Sequence, residues 1–116
     1  MINAISDAGY PGVETEGEVI HARLPSSQAE WFAAPEGDLW RFAIKRQVRA
    51  TEAQMAEWNS RMGDTPMDIH LGETRVSMMV AAGDAEAIRL WDSVAEECVA
   101  TTLRWRRAQR ERGEGM

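Results

Sequence analysis

Apolar residues recur at steps of three and four between residues 38 and 63, and this spacing constrains the fold more than any other feature. The stripe consists of Trp40, Ile44, Val48, Thr51, Met55, Trp58 and Met62. Such a period places side chains on one face of an α-helix. Asp38 can cap the N-terminus and Gly63 can take the left-handed conformation at the C-terminus. The stripe therefore predicts a single helix over 38–63, about 36 Å long.

An alternating pattern in the first part of this segment allows a second interpretation. The residues that alternate as in a strand are Trp40, Phe42 and Ile44. This pattern breaks at Arg46, so we favour the helix, whose stripe continues to its end. The alternative stays open: a strand over 39–48 followed by a helix from residue 52, because Thr51 and Gln54 have the spacing of a capping box.

A second long helix is predicted over residues 84–108, after Gly83 and Asp84. Its apolar face gathers Ala87, Ile88, Leu90, Trp91, Val94, Ala95, Cys98, Val99, Thr102 and Trp105. Beyond Trp105 the amphipathic pattern gives way to arginines. Residues 109–116 are therefore predicted to form a basic, frayed tail.

Alternation of apolar and polar residues predicts strands over 17–24 and 73–82. Between them, Ser27 and Glu30 have the spacing of another capping box, which predicts a short helix ending before Pro35. Residues 1–16 are polar and interrupted by glycine and proline. They are predicted to form an irregular N-terminal arm.

These elements predict an α+β fold dominated by helices. Two long amphipathic helices would pack on a small antiparallel sheet of two to three strands. The chain of 116 residues is the size of one domain. We expect that single α+β domain to occupy residues 17–108.

The net charge of −6 is unevenly distributed along the chain. Acidic residues dominate the first 40 positions, whereas arginines dominate the last stretch. The overall acidity argues against nucleic-acid binding across the whole surface. The longest apolar run, residues 78–82, is too short to span a bilayer, and the N-terminus does not resemble a signal peptide. A cytoplasmic protein without a membrane partner is expected.

The chain offers little for catalysis or metal binding. A zinc site needs at least three ligands in register, and His21 and His70 are the only histidines. Asp68 beside His70 is the best local cluster of donor groups, but such a spacing is common by chance. Cys98 lies in the middle of a predicted helix next to two carboxylates, which disfavours a reactive thiolate. No catalytic residue, metal or cofactor is predicted.

The leading hypothesis is a non-enzymatic protein-binding module that uses helix faces and charged ends. It would act as an adaptor, assembly factor or inhibitor, of the kind that a phage or mobile element uses to block a host complex. The predicted contacts combine aromatic residues, C-terminal arginines and an acidic ridge: Trp31, Phe32, Trp105, Arg104, Arg106, Arg107, Arg110, Glu14, Glu16 and Glu18. The partner is another protein, and a homodimer is also open.

Two alternatives belong to other classes of protein. The first is a small-molecule binder or minor enzyme with a Trp- and Met-lined pocket, where His70, Asp68 or His21 would supply the polar group. The second is nucleic-acid binding through the C-terminal arginines, with Trp105 available to stack on a base. The acidity of the whole chain makes this second alternative the less favoured one.

Overall fold

Over the described residues, a six-stranded antiparallel sheet carries three helices. The computed structural model describes residues 1–81 and 83–113, without the side chain of Arg112. In chain order the elements are α1 (Ile2–Asp7), β1 (Glu14–Glu16), β2 (Val19–Arg23), β3 (Glu30–Glu36), β4 (Leu39–Arg46), α2 (Glu52–Arg61), β5 (Met67–His70), β6 (Glu73–Val80) and α3 (Asp84–Gly113). The strands lie in the order β1-β2-β3-β4-β6-β5.

The core lies between one face of the sheet, called here the inner face, and the helices. Within it, Phe42 of β4 stacks on Trp91 of α3, with 5.5 Å between ring centroids. An ion pair of 2.8 Å between Arg61 of α2 and Glu97 of α3 shows that α2 lies beside α3. Helix α1 packs on α3 through the fully buried Ile5. All three helices therefore lie on the inner side.

The predicted fold class is wrong in its proportions, although the mixed α and β character is correct. The sheet has six strands instead of two or three, and only α3 is long. The single helix predicted over 38–63 does not exist. Its place is taken by β4 and α2, which is the strand–helix alternative. The capping box at the start of α2 is confirmed: Thr51 Oγ1 accepts from the Gln54 amide at 3.1 Å and Gln54 Oε1 accepts from the Thr51 amide at 2.8 Å.

Arg46 explains why the strand pattern of β4 was hard to see. It follows Phe42 and Ile44 on the inner side, so the strand geometry continues although the polarity breaks. Arg46 is half-buried there, and its Nε donates to Thr102 Oγ1 of α3 at 3.1 Å. An arginine fits this inner position because it lies at the end of the sheet, where a long side chain can carry its guanidinium toward water.

The short helix predicted from Ser27 through Ala34 is also wrong, because this segment forms β3. Ser27 Oγ accepts from the Ala29 amide at 3.2 Å, two residues on, so it stabilises a turn and not a helix. Along β3, Trp31 and Ala33 point into the core while Phe32 and Ala34 lie on the opposite face. Apolar residues on both faces hide the alternation by which a strand is recognised.

The strands predicted over 17–24 and 73–82 are confirmed as β2 and β6, and the helix predicted over 84–108 is confirmed as part of α3. The first 16 residues, predicted to be irregular, contain α1 and β1. Of the predicted frayed tail, residues 109–113 continue α3. Residues 114–116 lie outside the described part of the chain.

Candidate protein-binding site

The strand register places acidic residues together at one end of the sheet. The β1–β2 turn and the β3–β4 turn lie at the same end, because Ile20, near the start of β2, pairs with Ala33 in the second half of β3. Helix α3 also begins there, after β6 has paired its last residue with Trp40. We call this end the acidic end, and its residues are Glu16, Glu18, Glu36, Asp38, Asp84 and Glu86.

Cations gather at the opposite end, where β4 leaves the sheet and α3 passes it. Arg106 of α3 donates through Nη2 to the Gln47 carbonyl oxygen at 2.8 Å, which fixes the helix against the end of β4. We call this end the basic end, and its cations are Lys45, Arg46, Arg104, Arg106, Arg107 and Arg110. Two chain segments that are distant in sequence therefore combine into one positive surface.

A cleft of about 380 Å³ opens at the basic end. Phe32 forms an apolar part of its wall, and Lys45, Arg46 and Arg106 contribute cations. Two carboxylates, Glu30 and Glu73, and the polar Gln47 complete the lining. The cleft can thus contact apolar groups as well as charged groups of either sign.

Within residues 1–81 and 83–111, the cations of the basic end have no ion-pair partner, and neither do Arg23, Arg49 and Arg89. Arg41, Arg61 and Arg75 each hold a carboxylate within 3.3 Å or less. Over residues 1–81 and 83–111, no carboxylate lies within ion-pair distance of the cations at the basic end. Burial lowers the pKa of Arg46, and the nearby charge of Arg106 lowers it further. No close ion pair therefore neutralises the positive charge at this end, although Glu30 and Glu73 line the same cleft and Glu97 lies near Arg104.

An exposed leucine lies at the same end of the sheet. Leu71 and Gly72 form the two-residue turn between β5 and β6, with φ values of +51° and +81°. Positive φ at both positions is typical of a type I′ turn, which favours Asn-Gly and not Leu-Gly. The Leu71 side chain is 85% exposed, so it contributes little to the core. Leu71 therefore adds an exposed apolar side chain to the basic end.

The predicted contact residues are only partly brought together. Trp31 is fully buried in the core, so its prediction as a surface contact is corrected. Phe32 and Arg106 meet in the cleft, and the other predicted arginines follow along α3. Trp105 is half-buried and packs against the edge of the core. The acidic ridge, Glu14, Glu16 and Glu18, lies apart from them on β1 and its turn at the other edge of the sheet.

Sequence reasoning missed Lys45, Arg46 and Leu71 as members of this surface. Lys45 and Arg46 belong to a segment that was predicted to be helical. The capping box at Thr51 was the signal that could have found the end of β4. For Leu71, the signal is Gly72 at the second position of a two-residue connection between the alternating residues 67–70 and the strand from residue 73.

The histidines are spread over the sheet and form no shared site. His21 packs edge-on against Phe32, with 4.9 Å between ring centroids, whereas His70 lies on β5 at the other edge. Asp68 is engaged by Arg75 at 2.7 Å. Among the described residues, no group of three or more His, Cys, Asp or Glu side chains could hold a metal ion.

Cys98 is buried, and burial raises the pKa of its thiol to about 12. The thiol therefore stays protonated near neutral pH and does not supply a nucleophilic thiolate.

No model of a known protein family, no curated protein and no solved structure matches this chain. Within the part of the chain that the structure describes, no helix is both long and apolar enough to cross a lipid bilayer. The class of protein is therefore inferred from the geometry of the basic end.

Proposed function

We propose that this chain is a non-enzymatic protein-binding module whose basic end docks onto an acidic surface of another protein. One observation carries the proposal: cations without acidic partners converge from β4 and α3 at one end of a chain whose net charge is −6. Bringing like charges together costs free energy in the isolated protein. A partner with opposite charge would offset that cost, and the complementary charges would orient the two proteins as they associate.

The simplest competing explanation is that arginines stabilise the C-terminus of α3. Cations at that position complement the helix dipole, each contributing about 0.3–1 kcal/mol. This explanation suits Arg107 and Arg110, which lie in the last turns. It does not account for Lys45 and Arg46, which come from β4. The convergence of two elements supports a docking surface over a purely local effect.

Leu71 and Phe32 supply the apolar part of such a surface. Protein interfaces combine apolar anchors with arginines and a polar rim. Leu71 lies at the tip of the β5–β6 turn, and Phe32 lines the cleft. In the proposed complex, Leu71 packs against an apolar patch of the partner. The surrounding arginines pair with its carboxylates.

The test compares matched charge reversals along one helix. The chain is used to isolate partners from a lysate of its native host, and each protein identified by mass spectrometry is purified for calorimetric titration. Arg107→Glu and Arg110→Glu should each raise the Kd for the true partner about 5-fold at low salt, and less at high salt. Arg89→Glu is the control, because Arg89 is also exposed on α3 but lies in its N-terminal part.

The proposal fails if Arg107→Glu and Arg110→Glu bind every isolated partner as tightly as the unsubstituted chain does. It also fails if the chain retards duplex DNA in a salt-dependent way and loses that property on truncation after Leu103. That second result would assign the basic end to nucleic acid. Arg107→Glu and Arg110→Glu should each lower the unfolding free energy by up to about 2 kcal/mol, because each reversal removes a cation from the helix C-terminus and adds an anion there. Arg89→Glu should change it by less than about 0.5 kcal/mol, because Arg89 is exposed.

A further inference from the structure

The cleft at the basic end contains two guanidinium groups that the fold holds in place. Arg46 reaches it from the inner side of β4, and its Nε donates to Oγ1 of the buried Thr102 at 3.1 Å. Arg106 reaches it from α3, and its Nη2 donates to the Gln47 carbonyl oxygen at 2.8 Å. These hydrogen bonds fix two side chains that would otherwise exchange among many rotamers. The two guanidinium groups are therefore pre-organised around one cleft.

Most N–H groups of these two arginines remain available to a ligand. A guanidinium carries five N–H donors in a planar fork. In the part of the chain that the structure describes, Arg46 and Arg106 each use one donor for a hydrogen bond. Lys45 is the third cation in the lining, and all three are only partly exposed. Lysine and arginine are usually exposed unless they are paired, so this grouping is suited to an anion.

The two arginines also lie close enough to repel each other. Burial lowers the pKa of Arg46, and the nearby positive charge of Arg106 lowers it further. Holding like charges together in a partly buried place costs free energy. An anion between the two guanidinium groups would offset this cost and would accept charge-assisted hydrogen bonds from both.

Two carboxylates in the lining restrict which anion can bind. Glu30 and Glu73 lie on the face of the sheet opposite the core, as Lys45 does. Arg46 and Arg106 lie on the side of the helices, so this part of the cleft is purely cationic. A bound anion must gain more from the three cations than it loses through repulsion by the two carboxylates. A group with two negative charges meets this condition better than a group with one.

We infer that the cleft binds a phosphoryl group between Arg46 and Arg106, with Lys45 as a third donor. A phosphoryl group on a side chain carries a charge of about −1.5 to −2 at pH 7 and three acceptor oxygens. Arginine binds such a group through two parallel N–H···O bonds. A carboxylate has one charge and two oxygens, which a single guanidinium satisfies. The number of cations and donors in the cleft therefore favours the phosphoryl group.

The inference rests on the proposed function for the source of this group, which is a phosphorylated serine or threonine of the docked partner. The cleft of about 380 Å³ is larger than one phosphoryl group. It leaves room for the carbon atoms of the side chain that carries the group, and Phe32 offers them an apolar wall. Clusters of arginines are an established means of recognising phosphorylated side chains.

The test titrates the folded chain with sodium phosphate by calorimetry at constant ionic strength. Phosphate should bind with a Kd of about 1–10 mM, and sodium acetate about 10-fold more weakly. Arg106→Gln should raise the Kd for phosphate about 5-fold or more. Arg89→Gln is the matched control on α3, because Arg89 is exposed and does not line the cleft. Circular dichroism establishes that each variant is folded, and Lys45→Gln decides the outcome if Arg106→Gln is not.

Two further titrations address the carboxylates and the source of the group. Glu73→Gln removes a negative charge from the lining and should lower the Kd for phosphate about 3-fold. A pentapeptide with phosphoserine between glycines should bind about 5-fold more tightly than inorganic phosphate, because its carbon atoms add contacts in the cleft. The same peptide without phosphate should give no measurable heat of binding.

The inference is overturned if phosphate binds no more tightly than acetate, or if folded Arg106→Gln binds phosphate unchanged. It is also overturned if the phosphopeptide binds no better than its unphosphorylated copy, or more weakly than duplex DNA. These failures leave the proposed function standing when Arg107→Glu and Arg110→Glu still weaken docking of the partner. Phosphate binding that depends on Arg106, beside a partner that ignores both charge reversals, would instead refute the proposed function alone.

Discussion

The β5–β6 turn offers a substitution whose effect on stability can be worked out from the structure. Leu71 has a φ of +51°, a left-handed conformation that costs an L-residue about 1–2 kcal/mol. Asparagine tolerates this conformation and is preferred in type I′ turns. Full burial of a leucine contributes about 1.5–3 kcal/mol. Because Leu71 is 85% exposed, its replacement forfeits only a small part of that amount.

Leu71→Asn should therefore raise the unfolding free energy by about 0.5–1 kcal/mol, since the relief of backbone strain exceeds the lost burial. The assay is equilibrium unfolding in urea, followed by tryptophan fluorescence. The midpoint should rise while the slope with urea stays constant. Leu71→Ala is the control, because alanine removes the apolar side chain without asparagine's tolerance of positive φ. The reasoning is refuted if Leu71→Asn is no more stable than Leu71→Ala.

The same pair of variants separates stability from function. If Leu71 is an apolar contact of the partner, both substitutions should weaken partner binding to a similar degree, although only Leu71→Asn stabilises the fold. Natural proteins often keep an unfavourable residue where binding requires it. Unchanged affinity in both variants would remove Leu71 from the proposed surface.

Two further substitutions test polar contacts that join distant segments. Thr74→Val should lower the unfolding free energy by about 2–4 kcal/mol. The reason is that Thr74 Oγ1 accepts from the buried Ala50 amide at 3.0 Å and donates to the Val48 carbonyl oxygen at 2.6 Å. A loss below about 1 kcal/mol in urea unfolding would contradict this reasoning. Burial and the hydrogen bond to Asp92 raise the pKa of Tyr10. Its contribution to the free energy of unfolding is therefore fully present below the unfolded pKa of about 10 and is lost as the pH rises above that value. Above about pH 10 the free energy of unfolding should therefore fall less steeply in Tyr10→Phe than in the unsubstituted protein. Because Tyr10 is the only tyrosine, its phenolate absorbance reports the titration. A titration midpoint near 10 in the folded protein would count against the raised pKa.

Helices and strands whose two faces differ clearly in polarity could be predicted from the sequence. In β6, Thr74, Val76 and Met78 alternate with polar residues because only the inner side is buried. Helix α3 was recognised for the same reason, since its apolar stripe covers the sheet. Local polarity follows burial directly in such elements.

The central strands were missed because their polarity does not follow that rule. Phe32 and Ala34 are apolar residues on the face of β3 opposite the core, and Arg46 is a polar residue on the inner side of β4 at its end. Trp40, Ile44 and Val48 recur at helical spacing by coincidence, because pairing with neighbouring strands determines the structure of this segment. Pairing between β3, β4 and β6 is a long-range property and leaves little trace in local spacing.

Only the part of the candidate site that lies within one stretch of the sequence could be predicted. The arginines of α3 form a local cluster and were found from the sequence. Lys45 and Leu71 join them through the register of β4, β5 and β6, which depends on the whole sheet. Trp31 was mistaken for a surface residue because its neighbours resembled a helix start.

The orientation of α3 has a consequence for how the molecule meets other molecules. The helix is about 45 Å long and places the carboxylates of Asp84 and Glu86 about 27–39 Å from the arginines at residues 104–110. Opposite charges this far apart give the protein a permanent electric dipole in addition to its net charge of −6. In a field from an acidic neighbour, such a molecule rotates before it collides, so productive encounters become more frequent and fall off as salt is added.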